Sequence, residues 1–126
     1  MKAVVAEVGM LAKVVEIDGS LDSVSGIVGG YIEHLGILDY MGIDLYVNDE
    51  GLYRCEPNRI LVYTPEMVEA GYLSQYDYRH VGKVAEPYCQ INGNIVALAH
   101  DGDEWVGLTD EQAEYAKAYL DIGIVL

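Results

Sequence analysis

Arg54 and Arg59 flank one short stretch of the chain, and Arg79, His80 and Lys83 fall together among Tyr76, Tyr78 and Tyr88. Cations of this kind hold phosphate oxygens, and aromatic faces stack on bases. The side-chain amides of Asn92 and Asn94 can read a base or a ribose by hydrogen bonding. Arg54, Arg59, Tyr78, Arg79, His80, Tyr88, Asn92 and Asn94 are therefore the candidate ligand-binding residues, for a small nucleotide-like molecule. A chain this small encloses such a ligand more readily at a boundary between subunits. The competing use of the same arginines is to neutralise neighbouring acids.

Other chemistries fail on spacing. His34, Cys55, His80, Cys89 and His100 do not form the close pairs that zinc sites use, so no metal site is expected. Asp101-Gly102-Asp103-Glu104 departs from a calcium loop, since Val106 stands where the loop glycine belongs. Cys89 reads as strand interior, where a thiol is inert packing. The chain shows neither a glycine-flanked serine elbow nor a phosphate-loop lysine. With 21 acidic residues, pairs of carboxylates carry no information. The expectation is a non-enzymatic protein without catalytic residues or cofactor.

The elements that must position these residues read as one α+β domain over residues 1–126, a small mainly antiparallel sheet packed by two helices. Lys2 to Val8 and Leu11 to Ile17 form an N-terminal hairpin. Ser20 caps a helix whose stripe is Leu21, Val24, Val28, Tyr31, Ile32 and Leu35, closed by Gly36 or broken near Gly29. A strand centres on Leu45-Tyr46-Val47, with Leu52 to Cys55 as its returning partner. Pro57-Asn58 marks a loop before the strand Ile60 to Tyr63, and Thr64-Pro65-Glu66 starts a short helix. Asn92-Gly93 joins two strand-like runs, the pattern of a type I′ hairpin, and Asp101-Gly102-Asp103 leaves the sheet. Thr109 with Gln112 is a capping box for the last helix, which Gly123 stops. The apolar tail Ile124-Val125-Leu126 packs on the sheet or on another subunit.

The formal charge is -14, from 7 basic and 21 acidic side chains. Such a surface repels duplex nucleic acid and attracts a basic partner. Two cysteines make no disulfide framework, which points to a reducing cytoplasm. No signal-like opening occurs, and no apolar run reaches the roughly 18 residues of a membrane helix. Eleven tyrosines without one phenylalanine, together with the apolar tail, suggest a homo-oligomer.

Three segments resemble an uncharacterised family of small proteins carried by bacteria, their phages and other mobile elements. They are Val28-Gly29-Gly30-Tyr31-Ile32-Glu33 after the hairpin, Asn48-Asp49-Glu50-Gly51-Leu52 before Pro57-Asn58-Arg59, and Gly93-Asn94-Ile95-Val96 running on through Leu108-Thr109-Asp110-Glu111-Gln112. Met67 to Glu86 is longer than the pattern. The resemblance implies an accessory protein acting in the host cytoplasm, of the sort that counters host defence. Two functions fit: sequestration of a nucleotide-like signal, or an acidic imitation of nucleic acid that blocks a host DNA- or RNA-binding protein.

Overall fold

The computed structural model describes residues 1–62, 64–71 and 87–125. The first pair of strands, β1 (Lys2–Ala6) and β2 (Lys13–Glu16), forms the expected antiparallel hairpin, with Lys2 opposite Glu16 and Val5 opposite Lys13. Helix α1 (Leu21–Val28) opens where Ser20 accepts the Ser23 amide at 3.1 Å. It ends earlier than the apolar stripe. Gly29 takes a left-handed φ of 85° and its amide bonds back to the Ser25 carbonyl. That conformation favours glycine and stops the helix. Ile32 and Leu35 then belong to β3 (Ile32–Leu35), which leads into a 3-10 helix (Gly36–Met41) and β4 (Asp44–Asn48).

The remaining elements are α2 (Gly51–Arg54), β5 (Pro57–Val62), α3 (Pro65–Glu69), β6 (Pro87–Asn92), β7 (Ile95–Asp101), β8 (Glu104–Val106) and α4 (Asp110–Ile122). The main sheet runs β2-β1-β7-β4-β3, with β8 also on β7, and β5 pairs β6 in a second sheet. All these pairings are antiparallel. The fold is α+β. Strand β7 is the centre, and the run Ile95 to Ala99 is buried on both faces, as its unbroken apolar sequence requires.

The two faces of the main sheet differ. Val4, Ala6, Leu45, Val47, Ile95 and Ala97 belong to the larger core, shared with Leu38, Leu61, Met67, Ala116, Tyr119 and Leu120. Ala3, Val5, Val96 and Leu98 pack instead with Val24 and Val28 of α1. Tyr46 and Trp105, partly buried, pack against this second cluster beside the eight-residue helix.

Four expectations are corrected. Leu52 to Cys55 is not a returning strand: Gly51–Arg54 is one helical turn, with the Cys55 amide bonded to the Gly51 carbonyl. Pro57 and Asn58 lie inside β5, not in a loop. Asn92-Gly93 is not a hairpin turn, because β6 pairs β5 while β7 pairs β1, β4 and β8. Gly93, at φ 86°, turns the chain from one sheet into the other. The local signal was sound in requiring a left-handed residue, but pairing is decided by which strands can bury their faces. Finally, Gly102-Asp103 does not leave the sheet, since β8 returns with Glu104 opposite Asp101.

Two ends are built as their residues indicate. Thr109 Oγ1 accepts the Gln112 amide at 3.1 Å and Gln112 Oε1 accepts the Thr109 amide at 3.0 Å. Substituting Thr109→Ala is expected to cost about 1 kcal/mol, the usual worth of an N-cap; equilibrium urea unfolding checks this. Past α4, Ile124 bridges to Arg59 and the Val125 amide donates to the Asn58 carbonyl, so the tail lies along β5.

Candidate functional site

Where α1 ends, the chain turns through Gly29 and Gly30 to the exposed Tyr31, and the β4–α2 turn comes up beside it. The Asn48 side chain donates to the Val28 carbonyl at 3.2 Å and accepts the Glu50 amide at 2.8 Å. The Asp49 amide donates to the Tyr31 carbonyl at 3.0 Å. A Cβ on Gly30 would lie 3.0 Å from Asn48 Nδ2, so a larger residue there crowds this joint. Two segments that carried the family resemblance, residues 28–33 and 48–52, are thus stitched together. Between them opens a cleft of about 360 Å³ lined by Ser25, Gly29, Gly30, Tyr31, Asn48, Asp49, Glu50 and Arg54. Tyr31 is 81% exposed. Arg54 makes an exposed i,i+4 ion pair with Glu50.

The candidate residues do not gather in one place. Arg54 lines this cleft, Asn94 a second cavity of about 370 Å³ against β2 and α1, and Asn92 a third of about 130 Å³ near Tyr53. Asn94 is tied at both ends, donating to the Ile27 carbonyl at 3.0 Å and accepting the Val8 amide at 3.0 Å. Asn92 donates to the Cys55 carbonyl and accepts from Gln90. Tyr78, Arg79 and His80 lie outside the described residues, as does the side chain of Tyr88.

Arg59 is fully buried, and its guanidinium is spent inside the fold. Nε donates to the Leu120 carbonyl at 2.7 Å, Nη1 to the carbonyl and side chain of Asn58, and Nη2 to the Met10 carbonyl at 2.6 Å and to Asp121 at 3.2 Å. Burial lowers its pKa, an effect that the Asp121 carboxylate only partly offsets. Asn58 in turn donates to the carbonyls of Ala6 and Gly93. Arg59 holds β5, α4 and the β1–β2 turn together, with no surface exposed for a ligand.

A second constellation was invisible in the spacing. His34 on β3, Asp39 in the 3-10 helix and Asp44 at the start of β4 converge, with His34 Nε2 3.4 Å from Asp39 and 3.2 Å from Asp44. His100, near the end of β7, bonds the other Asp44 oxygen through Nδ1 at 2.6 Å. That bond raises the His100 pKa. Asp44 is 3% exposed. The rings of His34 and Tyr46 lie 5.6 Å apart, and Trp105 donates to the Tyr46 hydroxyl at 2.7 Å. Burial raises the Tyr46 pKa, so its phenol stays protonated at neutral pH.

These features define a small α+β protein with a polar cleft at the mouth of α1 and a histidine–carboxylate cluster farther along the same sheet. The chain belongs to the family described as Domain of unknown function (DUF3846), which matches residues 1–121. No curated protein and no solved structure matches it. Among the described residues, no helix is long and apolar enough to cross a membrane.

Proposed function

We propose that this chain is a non-enzymatic accessory protein of a phage or mobile element, acting against host defence in the host cytoplasm by sequestering a small nucleotide-like signal. The cleft beside Gly29-Gly30 is where the ligand lies in this reading. The observation that carries it is the grouping in that cleft of one arginine, one exposed tyrosine and one fixed side-chain amide around about 360 Å³, beside the carboxylates of Asp49 and Glu50. This volume falls in the range of small-molecule sites. Arg54 is available despite its pair with Glu50, because an exposed ion pair is worth only about 0–1 kcal/mol and a phosphate offers a better partner. The carbonyl end of α1 makes the opposite wall negative. A phosphate therefore lies toward Arg54, a base stacks on Tyr31, and exocyclic amino groups face the carbonyls. Leu52 and Tyr53, exposed by 65% and 90%, precede Arg54 on α2 and are the surface that a second copy covers.

Thermal unfolding of the purified chain with a panel of linear and cyclic nucleotides tests this. Binding raises the melting temperature by mass action, and Arg54→Ala or Tyr31→Ala abolishes the rise. A ligand recovered unchanged after denaturation agrees with sequestration. If no nucleotide shifts the transition and the chain instead captures a basic nucleic-acid-binding protein in a salt-sensitive way, the acidic-mimic reading takes its place, with the charge of -14 as its basis.

A further inference from the structure

We infer that His34, Asp39 and Asp44 form a binding site for one divalent transition-metal ion, with His100 as a positioning residue. The ligand atoms of the three residues all lie within 4.8 Å of one another. Around a tetrahedral ion with bonds of about 2.1 Å, neighbouring ligand atoms stand roughly 3.4 Å apart. The separations of 3.4 Å and 3.2 Å from His34 Nε2 to the two carboxylates match that edge. The two carboxylates lie within 4.8 Å of each other, and drawing them to that edge seats an ion at the common face.

Charge and ligand type agree. A neutral imidazole with two carboxylates carries two negative charges, and a divalent ion cancels them. One nitrogen and two oxygens suit Zn²⁺, Co²⁺ or Mn²⁺ better than the all-oxygen shells of Ca²⁺ or Mg²⁺. Burying a carboxylate is costly unless it is paired, and Asp44 is buried beneath the cluster while His34 and Asp39 remain about half exposed. The deep carboxylate is the anchor, and the open side leaves a coordination position for water or an exogenous ligand.

The fourth group acts through Asp44. His100 Nδ1 takes the carboxylate oxygen that His34 does not, which fixes the carboxylate plane and leaves its other oxygen toward the ion. Partners of this outer kind orient metal ligands and typically change affinity by about 10–100-fold. The four residues come from β3, the 3-10 helix, β4 and β7, so the rigid sheet holds three of them.

The single tryptophan reports on the site, because Trp105 packs 5.2 Å from Tyr46, which in turn contacts His34. Titrating the full chain with Co²⁺ is expected to show one equivalent bound, a visible ligand-field spectrum of low coordination number, and quenching of Trp105 fluorescence. His34→Ala and Asp39→Asn, both at exposed positions that leave the fold intact by circular dichroism, are expected to weaken binding by more than the ~10–100-fold of an outer-shell loss. His100→Ala weakens it within that range while keeping the cobalt spectrum, and His100→Gln, whose amide can still donate to Asp44, recovers much of the loss. Absence of saturable Co²⁺ or Zn²⁺ binding at millimolar metal overturns the inference. So does equal binding by His34→Ala and Asp39→Asn, which places the metal elsewhere. Neither outcome bears on nucleotide capture at the Arg54 cleft, which is a separate site.

Discussion

Replacing Arg59 by methionine is expected to lower the free energy of unfolding by about 3–5 kcal/mol, the range for breaking a buried ion pair by removing one partner. The side chain is wholly buried, and each of its nitrogens donates. Methionine fills much of the volume but leaves the carbonyls of Leu120 and Met10 and the Asn58 side chain without their donor. Asp121 keeps one bond, from the Ala12 amide at 2.8 Å, and loses its cation. Each orphaned buried acceptor costs about 1–3 kcal/mol, partly recovered by relaxation and water. Arg59→Lys restores the charge but not the fork: one ammonium cannot span acceptors on β5, α4 and the β1–β2 turn. It is therefore expected to recover only part of the loss. Urea unfolding of both variants measures this. A methionine variant within about 1 kcal/mol of the parent would show that the network contributes far less than its geometry implies.

Gly123→Ala has the second large effect, by the opposite route of adding one carbon. A Cβ at this position would stand 1.8 Å from the Ile60 carbonyl oxygen and 2.9 Å from its carbon. Both obstacles are backbone of β5, so no side-chain rotation relieves the clash. The chain must move, and the contacts at stake are the Ile60 amide to the Gly123 carbonyl at 2.8 Å and the Val125 amide to the Asn58 carbonyl at 3.0 Å. Overpacking of this kind costs about 1–3 kcal/mol, and the rigidity of the obstacle puts Gly123 at the upper end. Hydrogen exchange gives the specific signature. The amides of Ile60 and Val125 lose protection, while those of β7, at the centre of the main sheet, keep theirs up to global unfolding. Unchanged protection at Ile60 and Val125 would refute this account of the tail.

The candidate cleft is partly legible in the sequence. A cation near tyrosines suits a phosphate ligand, and Arg54 lines a cleft with an exposed tyrosine. The tyrosine is Tyr31, from a segment read as helix, and it enters the cleft because Gly29 ends that helix. Arg59 has the same residue type and is an internal fastener. Residue type cannot separate these uses, since a guanidinium that recognises phosphate recognises backbone carbonyls equally well.

The sequence by itself determined what rests on neighbours along the chain. The N-terminal hairpin follows from two apolar runs about a tight turn, and the starts of α1 and α4 follow from Ser20 and the Thr109–Gln112 box. The left-handed turn at Gly93 also follows from the dipeptide, as does the α+β class from the mixture of periods. Tertiary structure alone decided which strand pairs with which. Ile32 and Leu35 fit a helical stripe, yet they pair with β4, because doing so extends the sheet and completes its burial. The same pairing sets His34 beside Tyr46, and the pairing of β4 with β7 brings Asp44 within reach of His100. Residues 34, 39, 44 and 100 share no local pattern. Their meeting depends on strand order and register, which arise from the competition of all apolar faces for burial and not from any short stretch of chain.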